Sequence, residues 1–362
     1  MLGMTPFASI YRGKRVLITG HTGFKGSWLA LWLHELGAEV IGIALPPEPP
    51  INHWDLLKIP MTDHRLDIRD TGALQHIFHE TQPEIVFHLA AQPLVRRSYL
   101  APLETWSTNV MGTANVLEAC RQTPSVRAIV TITTDKCYEN HEWPWGYREN
   151  DRLGGHDPYS ASKAGSELVA ASYRSAFFNT DTAPLLASAR AGNVVGGGDW
   201  SEDRLIPDLI RALANKQSLE IRSPHATRPW QHVLESLSGY LLLGQKLLKG
   251  EKTCAEAWNF GPEPEGNRTV TEVLSKLSRH WTDVRWHLTD SPQPHEANLL
   301  YLDSAKARNQ LRWRPVWNID ATLEKTADWY RAWLEYSEVI SRQQLADYVA
   351  AAVKSNIEWA RS

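Results

Sequence analysis

The chain is poor in cysteine, with three in 362 residues: Cys120, Cys137 and Cys254. Three widely spaced thiols make neither a disulfide framework nor a zinc pattern, and they point to a reducing cytoplasm. A basic excess is also missing. The 38 Lys and Arg stand against 41 Asp and Glu, a formal net charge of -3, which excludes a general nucleic-acid binder. No apolar run approaches the roughly 20 residues of a membrane span. The opening "MLGMTPFASIYRGKR" lacks the apolar core of a signal peptide. Internal repeats and low-complexity linkers are absent too.

What the chain does have is alternation. "RVLITG" (15–20) is a short β-branched run ending in Gly, "GSWLALWLHELG" (26–37) has helical spacing and a Gly stop, and "AEVIGIAL" (38–45) is a second strand. Between the first two lies "TGHTGFKG" (19–26), with Gly20, Gly23 and Gly26 spaced G-x-x-G-x-x-G. Strand, glycine loop, helix and strand make the βαβ unit that turns backbone N–H groups at a helix N-terminus toward an anion. His21 and Lys25 bring a ring and a charge into that loop. We expect both to hold the backbone away from a pyrophosphate and loosen the site, so that replacing them tightens it. After the second strand, where an acid normally takes the ribose hydroxyls, only Glu48 is near, and no Arg stands ready for a 2′-phosphate. NAD is therefore favoured over NADP.

Further strands are expected at 84–91, 128–135 and 185–195, with helices around 103–122 and 159–178. That rhythm predicts an α/β fold: a doubly wound, Rossmann-type, mostly parallel sheet with a smaller C-terminal substrate lobe. We place residues 1–195 plus about 231–262 in the NAD-binding domain, and about 196–230 plus 263–362 in a nucleotide-sugar-binding domain. The 16 Trp are mostly expected in the core, with Trp200 and Trp230 placed beside polar motifs.

Two constellations carry chemistry. In "YSASK" (159–163), Tyr159 and Lys163 are four apart and share a helix face, where an ammonium favours the phenolate of a base. The preceding strand ends "TTDK" (133–136), bringing Thr134 toward the same alcohol. Asp135 and Lys136 are adjacent, so both reach one substrate only if the strand has already ended. In "LDIRD" (66–70), Asp67 is placed to accept from an adenine amino group.

Taken in order, "GHTGFKG", "LDIRD", "HLAAQ" (88–92), "TTDK", "YSASK" and "RAGNVVG" (190–196) resemble the extended short-chain dehydrogenase/reductase family over nearly the whole chain. Within it, nucleotide-sugar 4,6-dehydratases carry Thr-Asp-Glu where this chain has Thr134-Asp135-Lys136. "GGGDWSEDRLIPD" (196–208) and "ATRPWQHVLE" (226–235) look most like the branch acting on CDP-D-glucose, whose members have Lys there. The resemblance implies an NAD site built from Gly20, His21, Gly23, Phe24, Lys25, Gly26, Asp67, Ile68, Leu89, Ala90, Ala91, Tyr159 and Lys163. It implies substrate contacts from Gln92, Asn193, Arg204, Leu205, Ile206, Pro207, Arg228, His232 and Glu296, with Asn298 nearby. Tyr159 would take the C4 hydroxyl proton and Asp135 would protonate the C6 hydroxyl. Lys136 would be the C5 base or an enolate stabiliser. A homodimer joined through the helices near 103–122 and 159–178 is also implied. A 4-epimerase, a GDP-mannose dehydratase and a non-catalytic NAD-sensing protein remain as alternatives. The acid–base triplet weighs against the epimerase, and the intact Thr134, Tyr159 and Lys163 weigh against the sensor.

Overall fold

The computed structural model describes residues 6–47, 51–289 and 299–361. Its frame is a seven-stranded sheet: β1 (Arg15–Thr19), β2 (Glu39–Ala44), β3 (Thr62–Arg65), β4 (Ile85–His88), β5 (Ala128–Ile132), β6 (Leu185–Ala191) and β7 (Ala257–Phe260). All neighbours pair in parallel, in the order β7-β6-β5-β4-β1-β2-β3. Successive residues of the central strands enter different cores. Val16, Ile18, Ile85, Phe87 and Val130 join one, while Leu17, Val86 and Ile129 join the other. That is the period of two seen when both faces of a sheet are covered, and it explains why these strands read as continuous apolar runs. The edge strand β3, "TDHR", stays polar and largely exposed, which protects an open edge.

Helices α1 (Phe24–Glu35), α2 (Thr71–Thr81), α3 (Gly112–Arg121) and α4 (Pro158–Ala176) follow β1, β3, β4 and β5. Because β1 leads to β2 on one side while β4 sits on the other, the loops after β1 and β4 part at the strands' C-terminal ends. Open α/β sheets bind ligands at that crevice. The helical stretch expected around 103–122 runs without a break from Pro102 to Arg121, with a π turn over Ser107–Met111 between its first turn and α3. The extra residue in that turn accompanies Asn109, whose carboxamide bonds both N and O of Gln92 and the Ser162 hydroxyl.

A smaller lobe covers the crevice. It holds α5 (Leu205–Ala214), the parallel pair 219–221 with 286–288, the antiparallel pair 227–229 with 267–269, and α7 (Val270–His280), which starts on a Thr269–Glu272 capping box. Between its segments, α6 (Val233–Leu248) lies on β5 and β6 and delivers β7. Helix α8 (Ile319–Tyr336) packs on α7. Helix α9 (Ser341–Lys354) packs on α1, and α10 (Glu358–Arg361) on the N-terminal turn. The cause is aromatic burial: Tyr348 and Trp359 meet Trp32 edge-on at 5.7 and 5.6 Å, and Phe7 stacks on Trp359 at 4.9 Å.

Candidate active site

The loop from β1 to α1 is glycine for reasons visible at each position. Gly20 has φ +78, and a Cβ there would lie 2.7 Å from Ala90 N. At Gly26 a Cβ would meet Gly20 O at 2.1 Å. Gly23 is the N-cap of α1 and supplies no side chain, so the first N–H groups of the helix have no capping oxygen. The loop opens on a cavity of about 1650 Å³ lined by residues from both lobes. Gly20, Gly23, Phe24, Lys25, Gly26, Asp67, Ile68, Leu89, Ala90 and Ala91 line one end of it. Arg69 grips Asp67 through two nitrogens, holding its carboxyl below the usual range.

His21 departs from expectation. Its ring is fully buried and does not line the cavity. It lies over Gly42, where a Cβ would come within 2.5 Å of Nδ1, meets Trp54 edge-on at 4.6 Å, and pairs through Nε2 with Asp63 at 2.9 Å. The ring therefore fills the space beside β2 and does not obstruct the loop. Lys25 does enter the cavity. Its Nζ donates to Tyr240 Oη at 3.3 Å. Burial first, then the charges of Arg204 and Lys163, push its ammonium down to about 7.

At the other end the strand has ended in time. β5 stops at Ile132, and Asp135–Cys137 form a 3-10 turn capped by Thr134, whose Oγ1 accepts from Lys136 N and donates to Asp135 Oδ1 at 2.9 Å. Asp135 and Lys136 thereby both line the cavity, as do Tyr159 and Lys163 from the first turns of α4. Asp135 is 2% exposed, and burial raises its pKa. Tyr159 differs from expectation in one respect. Burial dominates and pushes the phenol up to about 12, with Thr134 and Arg204 pulling it down. Lys163 is itself lowered by burial to about 8.

The small lobe contributes Arg204, Leu205, Ile206 and Pro207 at the start of α5, with Asn193 and Arg228 deeper in. Trp200 and Trp230 also line the cavity. Arg228 acts electrostatically on Asp135. One substrate assignment is corrected by placement. His232 is fully buried between Trp28 and Trp317, caps α6 through Leu234 N, and does not line the cavity. Gln92 lines it, but its carboxamide is taken by Leu94 and by Thr105. Glu296 and Asn298 fall outside the described residues, as does Glu48. Tyr240, fully buried behind the cavity wall, escaped sequence reasoning because it sits within the apolar run of α6, where nothing marks one aromatic as the partner of Lys25.

Residues 17–326 match the family model described as GDP-mannose 4,6 dehydratase. The chain belongs to this family. It is 49% identical over 355 residues to the CDP-glucose 4,6-dehydratase of Salmonella typhimurium, covering 96% of this chain and 99% of that one. A probable dTDP-glucose 4,6-dehydratase of Sinorhizobium fredii is 28% identical over 343 residues, covering 87% and 92%. Among solved structures, the epimerase Mth375 of Methanothermobacter thermautotrophicus superposes with a TM-score of 0.81 at 24% identity over 94% of this chain and 97% of its own, a likeness of fold. DesIV, a dTDP-glucose 4,6-dehydratase of Streptomyces venezuelae solved with NAD bound, gives 0.75 at 25% identity over 88% and 98%. Asp135, Lys136, Tyr159 and Lys163 all line this one cavity.

Proposed function

We propose that this protein is a lyase converting CDP-glucose to CDP-4-keto-6-deoxy-glucose and water with NAD as a resident cofactor. The observation that carries this reading is the convergence of Thr134, Asp135, Lys136, Tyr159 and Lys163 on one cavity at the sheet's switch point. The 49% identity to the Salmonella enzyme favours the CDP sugar over a GDP sugar.

The loop fits a dinucleotide. Any Cβ at Gly20 or Gly26 would collide with backbone, and the start of α1 is left uncapped, as a close pyrophosphate requires. Gly20, Gly23, Phe24 and Gly26 hold the pyrophosphate, Asp67 and Ile68 the adenine end, Leu89, Ala90 and Ala91 the middle, and Tyr159 with Lys163 the nicotinamide end. Bound there, NAD would supply reversible hydride acceptance, so that the oxidation and reduction of the sugar cancel.

The chain's own groups handle the protons. Thr134 orients the C4 hydroxyl and Tyr159 removes its proton, which needs the support of cations because burial alone disfavours the phenolate. The C4 ketone acidifies the C5 hydrogen. Asp135, its carboxyl raised by burial, gives a proton to the C6 oxygen and water leaves. Lys136 serves C5: as the base when neutral it takes the C5 proton and gives it back when hydride reaches C6, and when protonated it is the enolate's counter-charge while another group carries that proton out and back. Arg228 takes the diphosphate, Asn193 adds a hydrogen bond, and Arg204, Leu205, Ile206 and Pro207 enclose the base. In this reading the large lobe holds NAD and the small lobe the nucleotide sugar.

The protein acts as a homodimer. Leu100, Leu103, Trp106, Met111 and Leu168 are exposed along the 95–121 segment and α4, a set of apolar side chains that a second copy would cover. Three buried, unpaired thiols suit the cytoplasm. No helix among the described residues is long and apolar enough to cross a membrane. Incubation with CDP-glucose tests the activity. A 6-deoxy-4-keto product, absorbing in alkali, is expected. CDP-galactose would mark a 4-epimerase, and NAD binding without turnover of any sugar nucleotide would mark a sensor.

A further inference from the structure

Behind the catalytic turn, away from solvent, Glu167 and Arg190 face each other, each 3% exposed. Arg190 Nη2 donates to Glu167 Oε2 at 2.8 Å, and Ser188 Oγ donates to the same oxygen at 2.7 Å. The other carboxylate oxygen accepts from Thr133 Oγ1. Arg190 Nη1 donates to Tyr138 Oη at 2.7 Å and to the Glu149 carbonyl at 2.9 Å. Thr133 immediately precedes the Thr134–Asp135–Lys136 triplet, and Tyr138 immediately follows the turn that carries it. One helical turn before Glu167 on α4 stands Lys163. None of the proton transfers derived above uses either member of the pair. A buried ion pair is weak evidence for stability, since apolar residues of similar volume often serve a fold as well.

Resting on the dehydratase reading, we propose that Glu167 and Arg190 are positioning residues that clamp both ends of the catalytic turn and set a compensating carboxylate one helical turn from Lys163. Burial drives the Lys163 ammonium down, and the Glu167 carboxylate is the first group that pulls it back up. The other groups near Lys163 give no comparable help. Lys25, from α1, is a like charge. His88, from β4, is held neutral by burial. The Cys137 thiol in the turn is pushed up by burial and stays protonated, so it brings no charge. Arg174 on α4 and Arg190 on β6 face Glu167 itself. If Glu167 were neutralised, Arg190 would remain as an uncompensated cation. Lys163 would then lose its proton at a lower pH, and Tyr159 would lose the cation that favours its phenolate.

The test compares wild type with Glu167→Gln, Glu167→Asp and the double variant Glu167→Leu/Arg190→Met, which removes both charges and strands neither. One readout needs no substrate: the titration midpoint of Lys163, followed by NMR in protein carrying ¹³C at lysine Cε and assigned with Lys163→Met. In Glu167→Gln it should fall by about one pH unit or more, and Glu167→Asp should restore most of it. The second readout is turnover of CDP-glucose. Glu167→Gln should lower kcat about 10- to 100-fold with KM little changed and move the alkaline limb of the pH profile to lower pH. The folded double variant should keep a low kcat. An unmoved Lys163 midpoint in Glu167→Gln, or wild-type kcat and pH profile in the double variant, would make the pair merely structural and overturn the proposal. Wild type inert toward CDP-glucose would instead sink the dehydratase reading, and the Lys163 midpoint would still decide the electrostatic claim.

Discussion

His21 and Lys25 leave the same loop in opposite directions, and their consequences separate. His21 is a core group: its ring occupies the space that Gly42 leaves open and is paired with Asp63. His21→Gly should therefore destabilise the fold by roughly 2–4 kcal/mol, the scale of a large-to-small core replacement, without tightening NAD. Lys25 adds positive charge to a place already under Arg204 and Lys163, where the oxidised nicotinamide would bring another. We predict that Lys25→Ile tightens NAD about tenfold, or ~1.4 kcal/mol. Because the Lys25 ammonium titrates at about 7, the wild type should gain affinity as pH rises through neutrality and approach the variant by pH 8.5. Calorimetric titration at three pH values checks both parts, and a gain seen only in the His21 variant would reverse the assignment. Asp135 and Tyr159 act at different steps. Asp135→Asn should retain C4 oxidation and slow elimination by about 10²–10⁴, the usual contribution of one acid–base group. Tyr159→Phe should block the oxidation itself. Solvent deuterium entering C5 at the normal rate in Tyr159→Phe would show that another base starts the reaction.

Elements were legible where one period ruled them. β1, β4, β5 and β6 announce themselves because both faces are buried, and α1 because a glycine loop precedes it and Gly37 follows. The turn at Asp135–Cys137 was legible only as a condition: two adjacent side chains must share a cavity, so the strand must stop. The π turn at Ser107–Met111 was not legible, since its cause is Asn109 reaching a loop 17 positions away. His232 was misplaced for a similar reason. A motif fixes the position of a residue along the chain, and only packing against Trp28 and Trp317 fixes where its ring points. The pieces around that π turn also bear on assembly. Leu103 is 82% exposed and Leu168 61% exposed on two neighbouring helices, the surface through which the proposed dimer would close. Replacing both with Glu should convert a dimer to monomer in light scattering at micromolar concentration with the melting temperature of the monomer unit kept. A wild type that already scatters as a 40.9-kDa species would end that reading.

At the scale of the molecule, distant segments are tied by buried histidines whose protonation is disfavoured. His53 joins α1 to α9 through Ser27 and Ser341 at 2.8 Å each, His88 sits between Thr19 and Thr113, and His232 lies between the rings of Trp28 and Trp317. Burial holds all three at about 3. In the unfolded chain they titrate near 6.5. Below that value the unfolded state binds protons the folded state refuses, so stability falls with acid at up to about 1.4 kcal/mol per pH unit for each group. One buried carboxyl runs the other way. Glu235, accepting from Val316 N, Trp317 N and Tyr348 Oη, is raised by burial to about 7. Between the ordinary carboxyl value near 4.3 and about 7 the folded state holds its proton and the unfolded state does not, which favours folding as pH falls through 7. The carboxyl therefore acts first and the histidines later. From pH 8 to 6.5 the melting temperature should be flat or rise slightly. From 6.5 to 5 three histidines outweigh one carboxyl, and it should drop steeply. His232→Phe should soften that acid drop by about half, since it leaves two histidines against one carboxyl, while keeping the plateau in place. A melting temperature unchanged between pH 8 and 5 would mean that these rings accept protons in the folded state, and that these buried ties are looser than their burial implies.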